Sequence, residues 1–197
     1  MPHLPLNIDM HNRATLIVGG GAVAGRKVKV LLDAGARVHV VALSLGRYLA
    51  DLWSEGRITA QVSPYEPSDL EGVFLAIAAT DNAEVNKTVA QDARERGILI
   101  AVADAPESGN CQFPALLRRG GLEITVSTGG RCPAFAVHIR DHIATLIGDD
   151  YGNALEQLAE EREKLLTEGN GSTYNATVVR SHAQRLMEQL TTQKEAQ

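Results

Sequence analysis

Leu16-Ile17-Val18-Gly19-Gly20-Gly21-Ala22-Val23-Ala24 is the stretch that decides the fold of this chain. The apolar triplet reads as the end of a buried strand, the glycines as a turn, and the residues after them as the start of a helix. In such a unit the first glycine permits the tight turn, Gly21 lets the backbone approach a pyrophosphate, and Ala24 is the small residue where helix packs on strand. Unbonded N–H groups at the helix start then face the anion. A strand-to-helix turn without ligand carries the same glycines, so the neighbouring segments have to discriminate. Val23 to Ala34 reads as a helix ended by Gly35, and Arg37-Val38-His39-Val40-Val41-Ala42 as the next strand, which completes a βαβ unit. An NAD site usually has Asp or Glu at the end of that strand for the ribose hydroxyls, whereas this chain reads Ala42-Leu43-Ser44. Ser44 or backbone amides are left to hold the ribose, and Arg47 keeps a 2′-phosphate, hence NADP, open.

The pattern continues outward. Leu45 to Glu55 reads as a helix, Ile58 to Val62 as a short strand, and the continuous apolar run Val73 to Ala79 as a strand buried on both faces. Thr80-Asp81-Asn82 forms a turn and helix cap, Asn82 to Arg96 a helix closed by Gly97, and Leu99 to Ala103 the next strand. This alternation predicts an α/β fold, a Rossmann-type doubly wound parallel sheet over residues 1–113. Near Asp104 the pattern changes. Ala115 to Arg118 and Leu122 to Ser127 read as a hairpin, and Pro133 opens a helix with Phe135, Ile139, Ile143 and Leu146 on one face. Residues 114–148 are thus a small α+β segment, and 149–197 a helical region of two helices, about Tyr151 to Leu166 and Asn175 to Leu190, around a break at Glu168 to Ser172. A frayed tail is expected from Thr191.

The composition, 44% hydrophobic and 22% charged over 197 residues, is that of an ordinary globular protein. A net charge of −5 without a basic face argues against nucleic acid as partner. No apolar run reaches the roughly 20 residues of a membrane span, and the N-terminus does not read as a signal peptide, so a cytoplasmic protein is expected. Cys111 and Cys132 make no zinc motif and read as buried free thiols. Without an export signal the sequons Asn170-Gly171-Ser172 and Asn175-Ala176-Thr177 serve only as loop markers.

Ligands of open parallel sheets bind beyond the carboxyl ends of the strands, where the glycine loop, Thr80-Asp81-Asn82 and Asp104 fall. Asp104 ends a buried strand beside the expected nicotinamide position, where desolvation can tune a general base or a transient metal contact. A loop or capping carboxylate is the competing reading, and for Asp81 ordinary capping chemistry is the stronger one. Between Asn110 and Gly148 four arginines (Arg118, Arg119, Arg131, Arg140) face two acids (Glu123, Asp141), a local charge of +2 that suits an anionic ligand. Solvated arginines on a surface hairpin explain the count equally well. Ser127-Thr128-Gly129-Gly130 before a helix adds hydroxyl and backbone donors. His138 and His142 lie four apart but lack the pattern of a zinc site, and no stable metal site is expected.

The chain resembles the precorrin-2 dehydrogenase and sirohydrochlorin ferrochelatase family, the N-terminal module of siroheme synthase. The matching pieces run in family order: Leu4-Pro5-Leu6, Val18 to Lys27, Leu31 to Ala36, Ala76 to Asp81, Asp104-Ala105-Pro106, and Ser127 to Gly130 followed by Pro133-Ala134. The resemblance implies NAD-dependent oxidation of precorrin-2 to sirohydrochlorin, with insertion of ferrous iron or cobalt as an alternative second activity, in a homodimer built through the segment after residue 114. A nonenzymatic NAD-sensing module is the remaining alternative. By the same analogy Gly19, Gly20, Gly21, Ala22 and Val23 hold the pyrophosphate, Leu43 and Ser44 line the adenosine side, and Thr80 and Asp81 lie along the cofactor. Asp104 matches the family's functional aspartate, which makes it the expected general base. Ser127, Thr128, Arg118, Arg131 and His142 meet the carboxylate-rich tetrapyrrole. Some members carry a phosphorylatable serine where this chain has Thr128. Relatives often carry Asn where it has Ala101, a departure that spares hydride transfer while putting chelation in doubt. The methyltransferase fused in some relatives is expected to be a separate protein.

Overall fold

A computed structural model of the chain describes residues 3–168 and 176–195. It divides into two compact units, Met1–Phe113 and Pro114–Gln197. The first is a five-stranded sheet in the order β3-β2-β1-β4-β5, built from β1 (Ala14–Val18), β2 (Arg37–Ala42), β3 (Thr59–Val62), β4 (Leu75–Ala78) and β5 (Leu99–Val102). All four pairings are parallel. Because side chains alternate along a strand, each central strand feeds two cores. On one face Ile17, Val40, Ile77 and Ala101 meet Ala24, Val28 and Leu31 of α1 (Ala22–Asp33) and Leu49 and Leu52 of α2 (Arg47–Ser54). On the other, Leu16, Val41, Ala76 and Ile100 meet Val89, Ala90 and Ala93 of α3 (Ala83–Glu95). Helices on both faces make the sheet doubly wound, the α/β arrangement expected from the glycine loop outward.

Most boundaries in this unit fall within one residue of the hydrophobic pattern, and two lie further off. The second helix begins at Arg47 rather than Leu45, because the Gly46 N–H donates to the Gly20 carbonyl (2.9 Å) and holds this segment in the loop. The apolar run at 73–79 contributes only Leu75–Ala78 to the sheet, with Val73 and Phe74 half-buried ahead of it.

In the second unit β6 (Ala115–Arg119) and β7 (Leu122–Val126) form an antiparallel hairpin with Arg118 opposite Glu123. The helix α4 (Pro133–Leu146) packs on the hairpin, as does α5 (Asp149–Glu168), which pairs with α6 (Ala176–Glu195). Gly152 permits that crossing, since a Cβ there would lie 2.5 Å from the Arg119 carbonyl. The apolar row on α4 is divided. Ile139 and Ile143 are half-buried, whereas Phe135 and Leu146 stay 57% and 52% exposed. Helix α6 continues through Glu195, so the fraying expected from Thr191 is not seen up to that residue. The break at 169–172 and Asn175 lie outside the described residues. Both cysteines are free, but only Cys111 is sheltered; Cys132 is exposed because it immediately precedes α4, away from the core. Among the described residues no helix is long and apolar enough to cross a membrane.

Candidate functional site

The three glycines of the first loop have different physical reasons. Gly19 has φ 128°, and a Cβ on it would fall 2.3 Å from the Ala79 carbonyl oxygen. A Cβ on Gly20 would fall 1.8 Å from that of Ser44. Both glycines therefore let neighbouring loops close on the turn. Gly21 has extended backbone angles open to any residue, and a Cβ on it would meet nothing within 4 Å. Nothing among the described residues requires glycine there, and the missing side chain leaves the main chain open to approach. At the same position α1 begins without any side-chain cap, so its first-turn N–H groups remain available to an anion. Helix α3 differs, because the Asn82 side chain accepts from the Glu84 and Val85 N–H groups at 3.0 and 3.3 Å. Of these two helix starts only α1 is open, and its open N–H groups fit the pyrophosphate of a dinucleotide.

The loops beyond β2, β1, β4 and β5 form one continuous row in the order the strands take in the sheet. Ser44 lies against Gly20, and Gly19 against Ala79 and Thr80. The Thr80 N–H and hydroxyl donate to Asn86 Oδ1 (3.0 and 2.7 Å), and Asn86 Nδ2 donates to the Thr80 carbonyl (3.0 Å) and to Asp104 Oδ1 (2.9 Å). Leu43 stands 75% exposed at one end of the row, an apolar surface beside the turn. Asp81 is exposed and Thr80 half-exposed. Asp104 is exposed as well, so the desolvation expected of it is absent; what fixes the carboxylate is the Asn86 amide.

Asn86 is the site residue that sequence reasoning missed. It is 1% exposed, and it shares the buried stripe of α3 with Val89, Ala90 and Ala93. A polar residue on an apolar stripe at helical spacing is the signal that marks it. Missed too was a cleft of about 410 Å³ between the starts of α1 and α2, with Arg26, Lys29 and Arg47 as its cations and Tyr48 at its wall. The Arg47 side chain is 96% exposed, and its ion pair with Asp51 is long at 4.0 Å. Lys27 lies instead over the Phe113 ring (4.3 Å), where burial and then the adjacent Arg26 lower its pKa.

In the second unit the arginines separate. Arg119 is structural: Nε donates to the Ile147 carbonyl (2.9 Å) and Nη2 to that of Ala144 (3.3 Å) at the end of α4. Arg118 pairs with Glu123 (2.7 Å) and Arg140 with Asp141 (2.6 Å). Arg131 is exposed and, among the described residues, has no carboxylate partner; its Nε donates weakly to the Thr128 carbonyl (3.5 Å). The hydroxyls of Ser127 and Thr128 accept from the Gly129 and Cys132 N–H groups at 3.2 and 3.1 Å, shaping the turn before α4. His142 is exposed. Among the described residues no three His, Cys, Asp or Glu side chains converge to hold a metal ion.

A family model described as NAD(P)-binding matches residues 6–115, more than half of the chain, and one described as "Sirohaem biosynthesis protein central" matches residues 119–146. The chain belongs to the precorrin-2 dehydrogenase and sirohydrochlorin ferrochelatase family. Similar members include the siroheme synthase of Methylobacillus flagellatus, 44% identical over 163 residues that make 83% of this chain and 35% of that protein. The siroheme synthase of Methylococcus capsulatus is 40% identical over 165 residues, 84% of this chain and 35% of that one. The chain thus spans about a third of the length of the siroheme synthases it matches. Among solved structures of the family, that of SirC, a precorrin-2 dehydrogenase, superposes with a TM-score of 0.72 at 26% identity, covering 94% of this chain and 100% of that one.

Proposed function

We propose that this chain oxidises precorrin-2 to sirohydrochlorin with NAD as hydride acceptor, as a cytoplasmic homodimer. The row of loops from Leu43 to Asp104 carries this reading, because it lines one edge of the sheet with an uncapped helix start and an anchored carboxylate. The likeness to SirC over that protein's whole length supports the substrate. The exposed Phe135 and Leu146 support the dimer, which sedimentation of the purified protein tests.

Two hydrogens leave the macrocycle, one as hydride and one as a proton. A bound dinucleotide would supply the hydride acceptor. The N–H groups opening α1 would hold its pyrophosphate, with Gly21 leaving room for the approach and Leu43 and Ser44 on the adenosine side. Thr80 and Asp81 would lie along the cofactor. Asp104 takes the proton through Oδ2, which has no hydrogen-bond partner among the described residues, while Oδ1 stays tied to Asn86. Ser127, Thr128, Arg131 and His142 bind substrate carboxylates; Arg118 contributes only by loosening its pair with Glu123. The acceptor is NAD by family resemblance, although the cations beside Arg47 offer a 2′-phosphate a seat.

The test is an anaerobic assay with enzymatically generated precorrin-2 and either dinucleotide, followed by absorbance. Sirohydrochlorin formed only with dinucleotide is the expected result. A folded, cofactor-binding protein that oxidises nothing leaves the sensor reading. Ferrous or cobaltous ion added to the product, against a protein-free control, measures insertion; no feature of the described residues favours it over oxidation alone.

A further inference from the structure

We propose that Asn86 is the positioning residue of the reaction: its side-chain N–H holds Asp104 Oδ1 and leaves Oδ2 as the atom that receives the proton. The inference rests on the reading of Asp104 as the base. An exposed aspartate at the end of a strand would otherwise rotate among several rotamers. Here one oxygen is fixed at 2.9 Å by an amide that is itself immobile, since Asn86 is 1% exposed and has all four hydrogen-bonding capacities in use. The orientation of that amide is dictated by its neighbours. The Thr80 backbone N–H can only donate, so the oxygen of Asn86 must face it at 3.0 Å, and the nitrogen is left to face Asp104. Asn86 therefore presents a donor to Asp104, the partner an ionised carboxylate requires. The same amide donates to the Thr80 carbonyl (3.0 Å), so the loops following β4 and β5 are held at fixed separation by one buried side chain. Aspartate would keep the acceptors and lose the donors, and glutamine is one methylene too long for the fully enclosed position.

A double-mutant cycle on the full chain tests this, with Asn86→Ala, Asp104→Ala and the pair, reading kcat and KM for precorrin-2 oxidation and the dissociation constant of NAD. Expected is a loss of about tenfold in kcat for Asn86→Ala, with NAD affinity changed less than about twofold, and a further change below about twofold when Asn86→Ala is added to Asp104→Ala. An equal loss in both backgrounds, a loss confined to NAD affinity, or none at all overturns the proposal. Wild-type kcat in Asp104→Ala alone refutes instead the role of Asp104 as base. Should Asn86→Ala not fold, the NMR signals of the Asn86 side-chain amide decide. They are expected to shift and exchange faster in Asp104→Ala than in the parent protein, and unchanged signals overturn the coupling.

Discussion

Replacing Gly21 by alanine should separate binding from stability. The new Cβ meets no atom within 4 Å, and the backbone at φ −85°, ψ −172° suits any residue. The folded protein therefore loses nothing, while the unfolded chain loses freedom, which favours folding by about 0.4–1 kcal/mol. For a chain of this size that raises Tm by roughly 1–4 °C. In the proposed binding mode the same methyl stands where the pyrophosphate would approach. Forfeiting one charge-assisted hydrogen bond of about 1.5–3 kcal/mol raises the Kd for NAD by about 10- to 150-fold. Gly20→Ala is the opposite control. Its Cβ would fall 1.8 Å from the Ser44 carbonyl oxygen, so main chain must shift, at a cost of about 1–3 kcal/mol and a lower Tm. Thermal unfolding without ligand and calorimetric titration with NAD measure both quantities. An unchanged Kd in Gly21→Ala, or a Tm as low as that of Gly20→Ala, refutes the assignment of Gly21 to ligand approach.

Asp104→Ala is expected to lower kcat by about 10²-fold or more while leaving NAD affinity within about twofold, measured by steady-state kinetics and direct titration. Arg47→Ala should leave NAD binding unchanged and weaken NADP about tenfold, if its exposed guanidinium is the cation that the proposed site offers to a 2′-phosphate; equal effects on both refute that role. Burial pushes the Cys111 thiol up to about 11, so at pH 8 only about one molecule in 10³ carries the reactive thiolate. A disulfide reagent should accordingly label Cys132 first, with the rate at Cys111 rising about tenfold per pH unit until near pH 11. Arg119→Ala removes the donors to the Ile147 and Ala144 carbonyls and is expected to destabilise by about 1–2 kcal/mol, whereas Arg118→Ala, at an exposed pair, changes stability by less than about 0.5; thermal unfolding distinguishes them.

The fold was legible because its signals are local. Arg37–Ala42 was readable to the residue, since a glycine stop precedes it and its buried residues continue a parallel core. Boundaries moved where a distant contact sets them. Leu45 has the apolarity of a helix start, yet the bond from Gly46 to Gly20 keeps it in the loop, and no periodicity encodes that bond. The glycine loop was readable as a loop, but the division of labour within it depends on how closely Ala79 and Ser44 approach, which only the folded chain specifies.

Charge counting and helical periodicity fail in opposite directions in the two units. Counting treats every arginine between Asn110 and Gly148 alike and sees a +2 segment waiting for an anion. Folding gives Arg119 to carbonyls and Arg118 and Arg140 to neighbouring acids, so the cation without a carboxylate partner among the described residues is Arg131, beside the turn that Ser127 and Thr128 shape. Periodicity, by contrast, carries information that a search for chemical motifs overlooks. Asn86 belongs to no motif, but it occupies the position on α3 that Val89, Ala90 and Ala93 mark as buried. A buried amide without partners costs about 1–3 kcal/mol, so it has to be answered by polar atoms. Thr80 and Asp104 provide them from the ends of two adjacent strands. The polar exception on an apolar stripe thus points to the place where the proposed base is held, and the apolar residues around it hold that place still.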